Sequence, residues 1–331
     1  MQGVLNKISK IRGRLNRLQR DTGWYLGLNQ SYLANVKGAR ILVYHGICID
    51  DPLRFNTLFV KLKTFEKQLS LYKKYFNIIS LNDFYEQKFD KDRFNICLTF
   101  DDGFANNYKY VLPLLERYEV PATFFITGVR DAGYDILWND VLCIAYQYGP
   151  VKFRFRNEDF IKGRDKKYIS SATGQRLVDI LRKSGIEDKI EMMKLLDQFK
   201  KKAVEDYWLQ MTQEEIRMLS ASKWVTIGSH DYFHNDVANV PVNFVAQDFA
   251  RSKQILENIT GKEIRALAFP YGSYTREVVK AAKNTGFKQL LATDFLFQED
   301  KNDTALRERF IINPFISDIN QLYANIKGNY Q

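Results

Sequence analysis

Short apolar runs alternate with amphipathic stretches along most of the chain after residue 40. The runs have the length of buried strands, and the stretches repeat apolar side chains every three or four residues, as helices covering a sheet do. The predicted strands are residues 40–45, 77–81, 95–100, 121–127, 223–228, 264–269, 288–293 and 309–314. The predicted helices are residues 58–75, 104–118, 243–258 and 274–285. This order predicts an α/β barrel of parallel strands with its chemistry at the carboxyl ends of the strands.

Residues 139–215 interrupt the alternation. They contain no convincing series of strands, many charges, and helical patterns at residues 174–184 and 187–207. We interpret them as a largely helical insertion between two barrel strands. The insertion is either a lid or substrate-binding subdomain, or a solvated elaboration, and its mixed charge favours the second interpretation.

The N-terminal segment, residues 1–39, has a different pattern. Its apolar side chains recur every three or four residues among basic ones, as in an amphipathic helix; they are Val4, Ile8, Ile11, Leu15 and Leu18. Such a helix lies on a membrane surface or docks on its own domain or on a partner, and docking is the commoner use of an apolar stripe. The segment lacks the apolar run of a signal peptide, and no run approaches the roughly 20 residues of a membrane span.

Composition narrows the alternatives further. Of 331 residues, 45% are hydrophobic, enough for a large core, and three scattered cysteines provide no disulfide framework. The unpaired cysteines and the lack of a signal-peptide pattern predict a cytoplasmic protein. It would lie at the inner membrane face if the N-terminal helix binds lipid. The net charge of +10 is concentrated in residues 1–40, which hold eight basic side chains and one acidic one. The remaining chain is nearly balanced, so we expect no nucleic-acid partner.

Candidate chemistry lies at the ends of the predicted strands. The chain has three histidines, His45, His230 and His234, and each lies at or just past a strand end. The strand at 95–100 ends in the adjacent carboxylates of residues 101–102. Two histidines at i and i+4 can meet on one helical face and chelate a divalent metal. Together with an aspartate they form a ligand set with open positions, which is typical of a hydrolytic metal site.

At these residues the sequence resembles the polysaccharide deacetylases, the NodB-homology group or carbohydrate esterase family 4. The segments 99–103 (Thr-Phe-Asp-Asp-Gly), 229–234 (Ser-His-Asp-Tyr-Phe-His) and 269–272 (Phe-Pro-Tyr-Gly) are similar to the three motifs of that family, in the same order. The segments 43–47 and 120–126 also match common members, and the early Tyr-His segment is similar to that of poly-N-acetylglucosamine deacetylases. The resemblance covers about residues 40–315.

The resemblance implies a distorted (β/α)7 barrel over residues 40–331 that hydrolyses the acetamide of an N-acetylated sugar. It implies that Asp102, His230 and His234 bind a divalent metal. Zinc is the expected metal, and cobalt and nickel are the alternatives. Asp101 would be the general base, and the backbone N–H of Tyr271 would help to hold the oxyanion. The substrate would belong to a surface polysaccharide, or to its lipid-linked or nucleotide-linked precursor.

The sequence departs from the family pattern at several positions. Where many members carry an arginine that braces the base, this chain has Ala266-Leu267-Ala268, and it has no histidine after His234 to act as general acid. We therefore assign the acid role to His45, the alternative being a histidine that only completes a strand end. Asp231 replaces the usual Thr or Ser of the second motif, which leaves the contact to the acetyl group undefined.

Two further residues have alternative interpretations. Arg309 resembles a recurrent late arginine that either braces Asp101 or pairs structurally, and Trp138 either lines a sugar subsite or belongs to the core. The departures also leave two alternative functions: a non-catalytic glycan-binding barrel, and a metal-dependent amidase acting on a non-sugar amide.

Overall fold

The computed structural model describes residues 2–50, 56–202 and 205–330. Within these ranges most strands belong to one large parallel sheet, and the rest form two small sheets. The strands are β1 Gly38–Tyr44, β2 Ile47–Cys48, β3 Val60–Lys61, β4 Phe76–Ile78, β5 Phe94–Phe100, β6 Ala122–Ile126, β7 Lys152–Phe155, β8 Glu158–Lys162, β9 Tyr168–Ser170, β10 Val225–Ser229, β11 Ala266–Ala268, β12 Gln289–Ala292, β13 Leu306–Glu308 and β14 Phe310–Ile311.

The helices of the same ranges are α1 Gln2–Tyr25, α2 Gln30–Asn35, α3 Leu62–Tyr75, α4 Leu81–Tyr85, α5 Leu112–Tyr118, α6 Trp138–Tyr148, α7 Leu177–Arg182, α8 Ile186–Leu196, α9 Glu205–Trp208, α10 Gln213–Ala221, α11 Val242–Thr260, α12 Arg276–Asn284 and α13 Asp318–Lys327. A π-helical turn, Asn107–Val111, precedes α5, and 3-10 turns occupy Asp197–Lys202, Pro270–Gly272 and Gln298–Asn302. The four crossover helices expected from the sequence are present as α3, the π-turn with α5, α11 and α12. The C-terminal helix α13 was not predicted.

The large sheet curls into a barrel. Its hydrogen-bonded order is β13-β12-β11-β10-β6-β5-β1-β14, all neighbours are parallel, and β4 adds to the start of β5. The two edges are consecutive in sequence, because β13 pairs with β12 up to Glu308 and β14 pairs with β1 from Phe310. The segment 306–311 therefore closes the barrel as one strand with a break at Arg309. Each predicted strand of the barrel is present.

Alternate strand residues face the barrel interior and the surrounding helices, as the period of two requires. One buried cluster takes interior residues of successive strands: Ile41, Cys97, Phe125, Ala266, Ala268 and Leu291. Their chain neighbours Leu42, Leu98, Phe124, Leu267 and Leu290 pack in a larger cluster with the helices. Following the same alternation to the carboxyl ends places Asp101 after Cys97 on the interior side, at the rim of the barrel.

The interior is narrow where β6 and β10 meet. A Cβ atom on Gly228 would lie 2.5 Å from the ring of Phe125, so glycine leaves room for that ring. The position two residues beyond Gly228 on the same face is His230. The contact between Gly228 and Phe125 therefore helps to set the position of His230 at the end of β10.

The stretch between β6 and β10 carries the elements α6 to α10 and has a core of its own. Buried side chains of this core include Trp138, Leu142, Tyr168, Met192 and Trp208. Helices α6 to α9 lie almost entirely within residues 139–215, whereas α10 continues to Ala221 and packs against β10 and α11 of the barrel. The same stretch also contains the antiparallel sheet β7-β8-β9, which was not predicted from the sequence. Its strands are short and expose most of their charged side chains, so they lack the apolar runs by which strands were recognised.

The N-terminal helices α1 and α2 precede the barrel, and α1 packs beside α13. The side chains of Val4, Ile8 and Ile11 lie outside the described part of the molecule. Among the residues that are described, no helix is both long enough and apolar enough to cross a bilayer.

Candidate metal centre and active site

Parallel strands bring the chemically active side chains to one rim of the barrel. Asp101 and Asp102 directly follow β5, His230 directly follows β10, and His45 directly follows β1. Because β1, β5, β6 and β10 are neighbours in that order, these strand ends converge. All four side chains line a cavity of about 150 Å³, together with those of His234, Tyr271 and Arg309. The structure thus brings together every site residue that the sequence predicted.

Asp102, His230 and His234 meet around a common point. The Oδ1 atom of Asp102 lies 3.4 Å from Nε2 of His230 and 3.2 Å from Nε2 of His234, and all three side chains are buried. Ligand atoms around a tetrahedral metal, with bonds of about 2.0–2.1 Å, lie about 3.3–3.4 Å apart. The two distances from Asp102 therefore match this spacing, all three ligand atoms lie within 4.8 Å of one another, and the donor set of two nitrogens and one oxygen suits zinc.

Hydrogen bonds orient two of the three ligands. Nδ1 of His230 lies 2.8 Å from the carbonyl oxygen of Ala268 and donates to it, so Nε2 is the nitrogen that faces Asp102. Burial alone would raise the pKa of Asp102, but hydrogen bonds from His230 and His234 hold that pKa well below its usual range. Asp102 is therefore an anion, and it provides the negative charge that a cation would balance.

His230 and His234 lie in a loop, which corrects the expectation of a shared helical face. The chain after β10 makes left-handed turns at Asp231 and His234, with φ angles of 66° and 53°. The Oδ2 atom of Asp231 accepts the backbone N–H groups of Phe233 at 3.3 Å and Asn235 at 2.8 Å. Asp231 thus holds the turn that returns His234 to the rim, and this contact explains its presence in the second motif.

Asp101 is clamped by Arg309. The guanidinium donates two parallel hydrogen bonds to the carboxylate, from Nη1 to Oδ1 at 2.7 Å and from Nη2 to Oδ2 at 2.8 Å. Burial would raise the pKa of Asp101, but the charges of Arg309 and His230 and the hydrogen bonds from Arg309 together outweigh it, and the pKa lies below its usual range. Arg309 reaches this position because it occupies the break between β13 and β14. It therefore lies against the same aspartate that an arginine near residues 266–268 would brace.

His45 faces the cavity, and its ring is largely enclosed. Its Nδ1 atom is buried and has no hydrogen-bond partner among the described residues. Burial lowers the pKa of His45, against the opposing charges of Asp102 and Asp101. The imidazolium form of His45 therefore gives up its proton readily. The ring lies in the same cavity as the metal ligands.

Tyr271 joins the metal ligands through its ring and its backbone. Its φ and ψ angles are 59° and 4°, a left-handed conformation inside the Pro-Tyr-Gly turn. The ring packs edge-on against His234 with centroids 4.7 Å apart, and the guanidinium of Arg182 lies over it at 4.2 Å. The phenol oxygen is buried without a hydrogen-bond partner in the described structure.

Arg182 is a residue that sequence reasoning missed. It comes from α7 of the insertion and donates from Nε and Nη2 to Oδ2 of Asp236, at 3.2 and 2.9 Å. Asp236 also accepts the hydroxyl of Ser273, so the arginine ties the loop of His234 to the loop of Tyr271. No motif or spacing in the insertion marked Arg182, because the contact depends on how the insertion folds back over the rim.

Trp138 belongs to the core and supports the loop of His234. It is 1% exposed, its indole N–H donates to the carbonyl oxygen of His234 at 3.3 Å, and the ammonium of Lys189 lies over its ring at 5.3 Å. The interpretation as a sugar subsite is therefore wrong for this residue. Polar side chains that do line the cavity, and that the sequence did not single out, are Asn56, Asn139 and Thr293.

A family model described as polysaccharide deacetylase matches residues 88–149 and 165–290, more than half of the chain. The matched segments include all three motifs, whereas His45 and Arg309 lie outside them. Among curated proteins, Bacillus subtilis YxkH, provisionally assigned as a polysaccharide deacetylase, is 19% identical over 199 residues. These residues are 60% of this chain and 44% of YxkH, so the chain spans less than half the length of that relative.

Three solved structures share the fold. Deacetylase PplD of Streptococcus pyogenes, in complex with acetate, is 17% identical with a TM-score of 0.54, and the match covers 88% of this chain and 99% of PplD. A de-N-acetylase from Aggregatibacter actinomycetemcomitans is 19% identical with a TM-score of 0.53, and the match covers 88% of this chain and 99% of that protein. IcaB from Ammonifex degensii is 16% identical with a TM-score of 0.51, and the match covers 88% of this chain and 97% of IcaB. The prediction of a distorted (β/α)7 barrel with this family resemblance is confirmed.

Proposed function

This chain belongs to the polysaccharide deacetylase family, and from that premise we propose that it is a metal-dependent hydrolase that removes the acetyl group from an N-acetylated sugar. The observation that carries the proposal is the pairing of two sites at one rim. Asp102, His230 and His234 share a point at metal-ligand spacing, and beside them Asp101 is held ionised by Arg309. A structural metal site would be closed and would not need a second, separately clamped carboxylate.

A divalent metal held by Asp102, His230 and His234 would lower the pKa of water and polarise the amide carbonyl. Zinc suits the donor set best, and cobalt and nickel are the alternatives. Asp101 would take the proton of the attacking water, because it is ionised and its oxygens are oriented by the two hydrogen bonds from Arg309. The 3.9 Å between Oδ2 of Asp101 and Nε2 of His230 puts this base next to the metal ligands.

The other two requirements of amide hydrolysis are an oxyanion donor and a proton for the leaving nitrogen. The backbone N–H of Tyr271 would hold the oxyanion, and one such donor is typically worth about 3–4 kcal/mol of transition-state stabilisation. His45 lies on the same cavity and would donate the proton to the departing amine as an imidazolium. The products would be acetate and a free amine on the sugar.

The cavity of about 150 Å³ is lined by the candidate metal ligands together with Asp101 and His45, so the acetamido group that reacts would have to enter it. We propose that the sugar belongs to a surface polysaccharide or to its lipid-linked or nucleotide-linked precursor.

A screen of acetylated substrates tests this proposal. The purified full chain, supplied with zinc, is incubated with N-acetylated monosaccharides, nucleotide sugars, oligosaccharides and simple non-sugar acetamides, and loss of one acetyl group is followed by mass spectrometry. We expect loss from an N-acetylated sugar, abolished by a chelator and absent in Asp101→Asn, while the control Asp303→Asn, at a surface ion pair with Lys283, keeps the wild-type rate.

The two other functions make different predictions in the same screen. Loss of acetyl groups only from the non-sugar acetamides would identify an amidase. Saturable binding of a sugar with no release of acetate would identify a glycan-binding barrel. Either result contradicts the proposed reaction.

A further inference from the structure

Helix α1 packs on the barrel through two arginines and a tryptophan. Arg17 donates from Nη1 to the carbonyl oxygen of Tyr330 at 3.4 Å, and the carbonyl oxygen of Arg17 accepts from Asn320 at 3.1 Å. Farther along, the guanidinium of Arg20 lies 5.1 Å from the ring centre of Tyr323. Trp24 continues this face and packs edge-on against Tyr75 with centroids 5.7 Å apart. Positions 17, 20 and 24 lie on one face of a helix, so this is the docked face.

The apolar stripe lies on the opposite face. Leu15, Leu18 and Tyr25 are 60%, 64% and 87% exposed, and Leu26, just after the helix, is 67% exposed. At 3.6 residues per turn, position 15 lies about half a turn, and positions 18 and 25 about a third of a turn, from the centre of the face formed by positions 17, 20 and 24. In the part of the stripe whose side chains are described, the face predicted from the sequence is therefore turned away from the domain.

This arrangement removes the commonest explanation of such a stripe. An apolar face is normally the face that packs, because burying a leucine side chain stabilises by about 1.5–3 kcal/mol. Here Arg17, Arg20 and Trp24 form the packed face, and the two leucines and Tyr25 remain uncovered. Large exposed apolar side chains gathered on one side of a helix usually mark a site of interaction.

The charge of the segment identifies the partner. Residues 1–40 hold eight Lys and Arg and one acidic side chain, whereas the rest of the chain is nearly balanced. Arg12 and Arg14 are exposed on the same helix. A second copy of α1 would bring like charges together, and an apolar protein groove would leave the charges unmatched. An anionic bilayer satisfies both features, since it accepts the apolar side chains and attracts each nearby basic side chain by about 1 kcal/mol.

We propose that α1 docks this protein on an anionic lipid bilayer, with Leu15, Leu18, Tyr25 and Leu26 inserted among the acyl chains and the basic side chains at the headgroups. The docked face of α1 holds the barrel against this surface. The proposal does not depend on the reaction that the barrel performs.

Vesicle sedimentation of the full-length protein tests it. Vesicles of phosphatidylcholine alone are compared with vesicles of phosphatidylcholine mixed with phosphatidylglycerol, at low and high salt. We expect binding to the mixed vesicles that is at least about tenfold tighter than to the neutral ones and that weakens with salt. Two double variants should each weaken binding to the mixed vesicles by about tenfold or more. One combines Leu15→Asp with Leu18→Asp, and the other combines Arg12→Glu with Arg14→Glu.

Matched controls separate this face from general effects. Phe244→Asp removes an exposed aromatic ring from α11, and Lys280→Glu with Lys301→Glu makes the same charge change elsewhere on the surface. Both controls should bind like the wild type, and all variants should keep the thermal midpoint of unfolding and the rate on a soluble substrate.

Wild-type protein that stays in the supernatant with anionic vesicles overturns the proposal, as does equal binding by the α1 variants. Concentration-dependent dimers abolished by Leu15→Asp, without vesicle binding, would assign the face to a second copy.

Discussion

Four non-glycine residues of the candidate site adopt left-handed backbone conformations. Their φ angles are 75° at Asp102, 66° at Asp231, 53° at His234 and 59° at Tyr271. Such conformations are uncommon outside glycine and cost of the order of 1 kcal/mol or more each. All four lie in the three motif segments, where the turns direct carboxylate, imidazole and backbone groups into one cavity. Half of the eight non-glycine residues with positive φ in the described chain therefore lie in the three motifs.

The fork between Arg309 and Asp101 is the most specific contact of the site. Arg309→Lys keeps the positive charge but cannot make two parallel hydrogen bonds to one carboxylate. We expect kcat to fall by roughly 10–100-fold while the metal content stays unchanged, because the base loses its orientation and the ligands do not. Acetate release and metal analysis measure the two quantities. Arg307→Lys, in which the neighbouring arginine bonds only backbone carbonyls, is the matched control and should be close to wild type. A wild-type rate for Arg309→Lys would show that the fork is only structural.

The proposed acid role of His45 predicts a pH dependence. A proton donor is active only while protonated, and burial lowers the pKa of His45. The rate should therefore fall as the pH rises through a pKa that lies below the usual value of about 6.5 for histidine. His45→Gln should remove this limb of the kcat profile and lower its plateau by about 100-fold, with metal binding unchanged. An unaltered alkaline limb in this variant would exclude His45 as the donor.

At the scale of elements, the insertion has a direct link to the rim. Helix α7 ends at Arg182, whose contacts join the loop of His234 to the loop of Tyr271. In addition, Lys189 of α8 is buried and donates to Asn235 at 2.7 Å, one residue beyond His234. Two helices of the insertion thus support the loops that carry the site. This arrangement favours a positioning role over the solvated elaboration that its mixed charge suggested.

Replacement of Arg182 tests that role. Arg182→Met keeps the length of the side chain but removes the hydrogen bonds to Asp236 and the charge over Tyr271. We expect kcat to fall by about tenfold with KM and metal content unchanged, and Arg182→Lys to restore part of the loss. Arg176→Met, which breaks only an exposed ion pair with Asp165 on the same insertion, is the control. A fall in thermal stability without any change in kcat would mean that Arg182 only stabilises the fold.

At the scale of the whole molecule, local signals predicted the strands, the crossover helices and the residues of the three motifs. Period-two alternation and strand ends are sequence properties, so the sequence alone predicts that Asp101, Asp102 and His230 lie at the rim. The closure of the barrel was not predictable in the same way, because the break at Arg309 depends on β13 and β14 pairing with opposite edges of the sheet. The three strands of the insertion were missed because they are short and mix apolar with charged residues, so they form no continuous apolar run.

The orientation of α1 also lies beyond local sequence signals. The same apolar stripe is compatible with docking on the domain and with facing away from it, and only the contacts of Arg17, Arg20 and Trp24 distinguish the two. These contacts show that a strong helical pattern identifies the element without identifying its partner.

The central claim is that one set of residues holds a metal while a separate carboxylate acts as base. The most direct measurement determines metal per chain and acetate release together, for the wild type, Asp102→Ala and Asp101→Asn. For the wild type we predict one divalent metal per chain and acetate release that a chelator abolishes. Asp102→Ala should lose both the metal and the release. Asp101→Asn should keep the metal and release acetate at least about 100-fold more slowly than the wild type. Near-wild-type release by Asp101→Asn, or wild-type release that persists after the metal is removed, would contradict the account.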